Sequence, residues 1–377
     1  MTSNPLRRLA SVLLAAIGER RSSSGLCAGD IVEVRLKEEI LRTLSTDGRL
    51  DGLPFMPQMF QYSGSRFRVS KRAHKTCDTI YNTGGRRMRE AVHLEEIRCD
   101  GEVYAQCGTG CLIFWKEAWL KRVDDSRPAP LTESQTVCTE DDVNHATLAV
   151  DSTESDRRYA CQATELLRAT KRLPWWDFRQ YLEDYAAGNV RGLDLVAGVG
   201  FVVSRAVINK LGRVTGRRSA LIRLYDAVQR LRRGVPFPRR TGLVPAGERT
   251  PLVRLGLNPG EFARLKPYPE ILKTLDDNNK NRGLYFDAEE VPYCGGTYRV
   301  RSRVTQIIDE RTGRSTPIGS GGAVILESVS CKGHYSKHRM FCPRGVLPFF
   351  RETWVERVAD STSLNQPRSV IEPGPHE

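Results

Sequence analysis

A mainly β fold with an α insert is what this sequence predicts, on three observations. The chain matches itself at an ungapped offset of 231 residues; both copies are written in short alternating apolar runs; and nearly all of its excess charge lies between them. Its 377 residues, 40% apolar and 27% charged, suit two or three globular domains and exclude collagen, a coiled-coil rod and wholesale disorder. The net charge of +13 favours an anionic partner but says nothing about fold.

The self-match opens with Gly29-Asp30-Ile31-Val32-Glu33-Val34 against Gly260-Glu261-Phe262-Ala263-Arg264-Leu265. It pairs Ile40-Leu41 with Ile271-Leu272, Thr43 with Thr274, Phe55 with Phe286 and Arg68-Val69 with Arg299-Val300. Beyond loops of unequal length, Ala91-Val92 meets Ala323-Val324, Cys99 meets Cys331, Cys107 meets Cys342 and Trp119 meets Trp354.

Each copy begins with a Gly-acid turn and an alternating strand, residues 31–35 in the first. A short helix follows, with Ile40, Leu41 and Leu44 on one face and Glu38-Glu39 in its acidic first turn. A Gly/Pro-rich connection (47–64) carries the apolar plugs Leu53, Phe55 and Met56, and strands are expected at 66–70 and 91–97. A cysteine loop then leads into the aromatic stretch 112–123. Short strands with one helical turn point to two repeated small SH3-like β-barrel domains joined by a basic helical segment.

The expected order is an N-terminal amphipathic helix (1–25), repeat 1 (26–125), an acidic linker (126–158), a helical basic segment (159–256), repeat 2 (257–360) and a disordered tail (361–377). Arg7-Arg8 before the apolar residues 9–17 resembles a short signal peptide. The helical spacing of Leu9, Leu13, Leu14 and Ile17 and the want of a cleavage site favour an amphipathic helix. A cytoplasmic chain with peripheral membrane attachment is expected, its ten cysteines serving as metal ligands or buried thiols rather than disulfides. No apolar run approaches the roughly 18 residues of a spanning helix, because Asp194, Gly198 and Gly200 interrupt 193–203.

In repeat 1, Cys77, Cys99, Cys107 and Cys111, with His74 as a substitute, form a candidate tetrahedral set for structural Zn²⁺, since thiolate and imidazole from adjacent loops build closed zinc sites. Repeat 2 offers Cys331, His334, His338 and Cys342 as C-x2-H-x3-H-x3-C. Buried thiols are the competing reading in the first case, a basic surface loop in the second. Cys77 beside His74 and Lys75 could also be an activated nucleophile. Gly-rich phosphate loops, H-E-x-x-H, G-x-S-x-G and EF-hand patterns do not occur.

Between the copies, Leu166-Leu167, Trp175-Trp176, Phe178, Tyr181-Leu182 and Tyr185 suggest two short amphipathic helices broken at Pro174, with the aromatics packed inward. Residues 191–254 carry 13 Arg and one Lys against three acids, a net +11. Leu221, Leu224, Tyr225, Val228 and Leu231 mark one helix face, while Arg217, Arg218, Arg223, Arg230, Arg232 and Arg233 load the rest. Such a helix suits an anionic membrane surface, an acidic polymer or protein, or nucleic-acid phosphates; a solvated helix docked by its apolar face is the alternative. No motif for sequence-specific nucleic-acid reading is present.

The chain resembles an uncharacterised bacterial family with duplicated Cys-containing SH3-like modules. The likeness rests on Leu50-Asp-Gly-Leu-Pro-Phe-Met-Pro57, Phe67-Arg-Val-Ser-Lys-Arg-Ala-His-Lys-Thr-Cys-Asp78 and Cys111-Leu-Ile-Phe-Trp-Lys-Glu-Ala-Trp-Leu-Lys-Arg122, with Tyr159-Ala-Cys-Gln-Ala-Thr-Glu165 and the second copy also similar. It implies proximity to surface-polysaccharide and specialised-metabolite genes but no activity. The expected function is a non-catalytic accessory or binding protein with a structural zinc site and a basic segment for an anionic partner. The alternatives are a zinc- or thiol-dependent tailoring enzyme using His74/Cys77 or the 331–342 loop, and a non-specific nucleic-acid binder.

Overall fold

A computed structural model describes residues 25–123, 138–319 and 321–358. The expected terminal helix (but for Gly25), the first part of the acidic linker and the tail lie outside the described residues. The chain divides into two compact units. Unit 1 comprises Met1–Val207, Gln306–Thr316 and Lys332–Val346; unit 2 comprises Ile208–Thr305, Pro317–Cys331 and Leu347–Glu377. Two segments from the stretch expected to be the second repeat thus belong to unit 1, so the units do not follow the expected boundaries. Hydrogen bonds tie each excursion to the rest of unit 1, among them Gly108 N–H to Gln306 O at 2.9 Å and the Lys75 side chain to Met340 O at 2.8 Å.

Unit 1 is built on β1 (Ile31–Val34), β4 (Arg66–Arg72), β7 (Ala91–Leu94), β8 (Trp115–Lys116) and β9 (Leu120–Arg122) in the order β8-β7-β4-β1-β9. Helix α1 (Lys37–Leu41) and the two-residue strands β2 (Arg49–Leu50) and β3 (Leu53–Pro54) fill the connection after β1. Ile40, Leu53, Phe55, Trp115 and Trp119 form the centre of the core, with the Phe55 and Trp119 rings edge-to-face at 5.0 Å. A second sheet joins β5 (Lys75–Cys77), β6 (Gly85–Arg87) and β10 (Lys171–Leu173) in the order β10-β6-β5. Residues 138–158, expected as linker, fold instead: helix α2 (Glu140–His145) is capped by Thr139 Oγ1, and Val143 enters the core.

Unit 2 repeats the pattern. Strands β11 (Phe262–Leu265), β14 (Thr297–Val304), β17 (Ala323–Leu326) and β18 (Val355–Arg357) lie in the order β17-β14-β11-β18, around a core of Leu265, Ile271, Phe286, Val300 and Trp354. The 231-residue offset recurs as register: Ile31 faces Arg68 in one sheet and Phe262 faces Arg299 in the other. Even the irregularities agree, with a register shift between Val69 and Lys71 and another between Val300 and Ser302. The buried indoles match too. Trp119 Nε1 donates to Thr43 Oγ1 at 3.1 Å, and Trp354 Nε1 to Thr274 Oγ1 at 3.0 Å. Both sheets are open and neither closes into a barrel among the described residues; their edge strands have two to four residues, too short to wrap and pair.

The connecting region departs from expectation. Residues 161–170 form turns rather than a helix, and the helix after Pro174 is α3 (Arg179–Ala186). Trp175, Trp176 and Phe178, expected to pack inward, are exposed. Next comes α4 (Gly192–Thr215), 24 residues long and, by length and composition, apolar enough to cross a membrane. The expectation of a broken run fails for two reasons. Asp194 sits in the first turn, where the helix dipole favours it. Gly198 provides the close approach to Phe341, with a Cβ there falling 2.5 Å from the Phe341 ring. The basic helix α5 (Arg218–Leu231) follows.

Candidate functional site

Three constellations stand out. The first is an open pocket in unit 1, lined by Cys99, Cys107, Cys111 and Cys161 among mostly apolar neighbours, with Glu310 and Arg344 also on its wall. The bridge Arg98↔Leu112 sets Cys99 opposite Cys111, whose carbonyl accepts from Cys99 N–H at 2.8 Å. Gly101, at φ +77°, folds the loop back so tightly that a Cβ would stand 2.1 Å from the Cys107 carbonyl oxygen. Cys107 Sγ accepts from Ile308 N–H at 3.3 Å, and Cys99 Sγ from Gln58 Nε2 at 3.3 Å and the Gly101 N–H. Cys161 Sγ accepts from the N–H groups of Ala163 and Thr164. Gln162 holds this segment in place: its amide donates to Pro54 O (3.1 Å) and Phe114 O (2.9 Å) and accepts from Phe114 N–H (2.8 Å). Burial pushes the Cys99 thiol up to about 12 and raises those of Cys111 and Cys161. None is a poised nucleophile.

The second constellation joins β5 to the 332–346 excursion. Lys75 Nζ is buried against Asp184 Oδ2 (2.5 Å), Met340 O (2.8 Å) and Gln180 Oε1 (3.4 Å), beneath the Tyr181 ring at 4.8 Å. His74 Nε2 lies 3.3 Å from Asp184 Oδ1, the distance of an ion pair, yet the imidazole is neutral. Burial depresses it to about 3 against the opposing pull of Asp184, and the nearby Lys75, Arg87 and Arg72 charges lower it further. Cys77 hydrogen-bonds to Cys342, and that bond, the Arg344 N–H and the nearby Arg344 and Lys75 charges hold the Cys342 thiol well below its ordinary range. Arg344 is fixed by Glu310 at 2.9 Å and Thr79 Oγ1 at 2.6 Å.

The expected sites are therefore redistributed. Cys99, Cys107 and Cys111 share a pocket, but Cys77 pairs with Cys342 and His74 with Asp184. Cys161 takes a place on the pocket that sequence order did not suggest; the one available sign was its position in the 159–165 motif. In the second repeat, Cys331 belongs to unit 2 whereas His334, His338 and Cys342 belong to unit 1. His334 packs on the Phe341 ring, and burial lowers it to about 4. Among the described residues no group of three or more His, Cys, Asp or Glu is arranged to hold a metal ion.

The third constellation is the outward face of α4, and the face of α5 is a separate surface. One face of α4 packs on the excursion, with Leu195 and Val202 against Met340 and Phe341, and Phe201 edge-on to Tyr335 at 5.0 Å. The opposite stripe, Val196, Val199, Val203, Val207, Leu211 and Val214, is exposed at helical spacing; Val214 is 79% exposed. On α5 only Ile222 is buried, while Leu224, Val228 and Leu231 face outward. Arg217, Arg218, Arg223, Arg230, Arg232 and Arg233 are all exposed.

These features define a two-unit, antiparallel β protein with a thiol-lined pocket, a helix with an exposed apolar face and an arginine-rich helix. Comparison with protein-family models, curated proteins and solved structures finds no match.

Proposed function

We propose that this chain is a non-catalytic accessory protein that lies on an anionic membrane surface through α4 and α5. The two matching sheets are read as duplicated SH3-like modules carried by that attachment. The observation behind this reading is the outward stripe of α4, six apolar side chains running into a helix rich in exposed arginine. An uncovered apolar face at 3.6-residue spacing beside cations is the pattern of an interfacial helix. One face of α4 is taken up by Leu195, Phe201 and Val202 packing on the protein, which favours lying in the interface over spanning it.

Magnitudes separate the anionic partners. Fully buried Val or Leu side chains contribute about 1.5–3 kcal/mol each, and an arginine near an anionic leaflet about 1 kcal/mol. Apolar burial thus dominates on a membrane, whereas nucleic acid or an acidic polymer would be held by charge alone. The full chain should float with phosphatidylglycerol-containing vesicles and only weakly with neutral ones. Half-molar salt should weaken flotation without abolishing it. Binding to RNA or DNA that salt abolishes, with no flotation, would favour the polyelectrolyte reading.

A thiol-dependent enzyme is the second reading, favoured by the lowered Cys342 thiol beside Cys77. Both thiols are buried, so this reading requires an opening that admits substrate. Rapid alkylation of native Cys342 at neutral pH would support it.

A further inference from the structure

We propose that the aromatic loop 174–178, between β10 and α3, is a second bilayer contact that seats Trp175, Trp176 and Phe178 at the headgroup level of an anionic membrane. The inference rests on the reading of α4 as an interfacial helix and concerns unit 1 alone.

Trp176 is 69% and Phe178 61% exposed, with Trp175 exposed beside them. Large aromatics grouped at the surface mark an interaction site rather than a solvated turn. The turn that carries them is fixed from beneath. Asp177 N–H closes it onto Pro174 O at 3.1 Å, and the Gln180 amide, buried under the loop, donates to Pro174 O (2.9 Å) and Asp177 O (3.0 Å). The Tyr181 hydroxyl adds a bond to Trp175 O at 2.7 Å. Rings presented on an ordered backbone lose little freedom when they dock.

The surroundings are cationic. Lys337 Nζ stands 4.8 Å from the centroid of the Trp175 ring, and Lys171 and Arg172 are exposed on the strand that leads into the loop. The loop's one carboxylate, Asp177, is taken up by two bonds from Arg179 at 2.8 and 2.7 Å. Cations beside indole rings complement anionic headgroups, and indole itself favours the boundary between acyl chains and water. One segment carries this loop and α4 together. Trp175 packs on Lys337 and His338, while Phe201, Leu195 and Val202 of α4 pack on Tyr335, Met340 and Phe341. A platform for stacking nucleobases would use the same rings, but it leaves the exposed Val196, Val199 and Val203 of the neighbouring helix without a role.

The chain's own tryptophans read this contact. Trp115, Trp119 and Trp354 are buried, so Trp175 and Trp176 are the two within reach of lipid, and α4 contains none. The full chain is mixed with vesicles of phosphatidylglycerol and phosphatidylcholine. Its emission should shift to the blue, and phosphatidylcholine brominated in the acyl chains should quench it. The double variant Trp175→Phe, Trp176→Phe should lose the quenching and keep flotation. Trp176→Ala with Phe178→Ala should weaken flotation by about tenfold or more. A chain that floats without brominated-lipid quenching, or a folded double alanine variant that floats as the wild type does, would overturn the loop contact and leave attachment through α4 standing. No flotation at all would overturn both. Quenching by a single-stranded oligonucleotide in a chain that does not float would assign the rings to base stacking instead.

Discussion

At the scale of single residues, the energetic weight sits in buried charges whose partners are remote in sequence. Lys75 was legible only as a basic neighbour of Cys77, because its carboxylate, Asp184, is contributed 109 residues later. Nothing in local spacing signals such a pair. Removing one partner leaves the other charged in a dry site, so Lys75→Ala should lower stability by about 3–5 kcal/mol in urea unfolding. Replacing both residues by well-packed apolar ones should recover much of the loss. A second prediction concerns pH. His74 and His93 are held neutral by burial, each depressed to about 3 against 6.5 for an unfolded imidazole. His93 faces Lys71, Arg344 and Arg98, which reinforce the shift, and its Nδ1 lies 2.8 Å from Ile113 O. With the folded values depressed, the unfolded chain binds more protons between about pH 6.5 and 3. Stability is therefore fully present above 6.5 and falls on acidification, by about 1.4 kcal/mol per pH unit for each histidine. Urea midpoints between pH 7 and 4.5 should show that slope, and His93→Gln should reduce it.

At the scale of elements, strands and the first short helix were legible because their periodicities are local. The register of β11 on β14 repeats that of β1 on β4 at the offset visible in the sequence. Helix α4 was not legible, since Gly198 and Gly200 read as breakers. Tertiary packing gives the two glycines different roles. A methyl at Gly198 would stand 2.5 Å from the buried Phe341 ring, whereas a Cβ at Gly200 meets nothing within 4 Å. Alanine gains up to about 1 kcal/mol of helix propensity at either position, and overpacking costs about 1–3 kcal/mol. Gly200→Ala should therefore stabilise the protein and Gly198→Ala should destabilise it, as read by thermal unfolding. Equal shifts of the same sign would contradict the packing assigned to α4. The thiol pocket was half legible: three of its cysteines share one loop, but the fourth reaches it through the Gln162 hydrogen bonds, which no cysteine spacing encodes.

At the scale of the whole molecule, charge was the most informative global quantity. The net +13 resolves into two nearly neutral flanking stretches (26–125 and 257–360) and a connecting segment at +11, which holds two consecutive helices. What charge could not show is that the apolar side of this segment also faces outward. Sequence reasoning supplied the arginines, and the fold supplied the stripe. The unit boundaries were hidden for a related reason: 306–316 and 332–346 join unit 1 through several hydrogen bonds to residues far along the chain, among them Gly108–Gln306, Asp156–Arg314, Lys75–Met340 and Thr79–Arg344. Membrane attachment through this surface is the central claim, and it is tested most directly by vesicle flotation of the full chain carrying Val199→Asp and Val203→Asp. Both positions are exposed, so the fold should be retained and binding to phosphatidylglycerol-containing vesicles lost at least tenfold, the arginines notwithstanding. Unchanged flotation of a folded double variant would contradict the account.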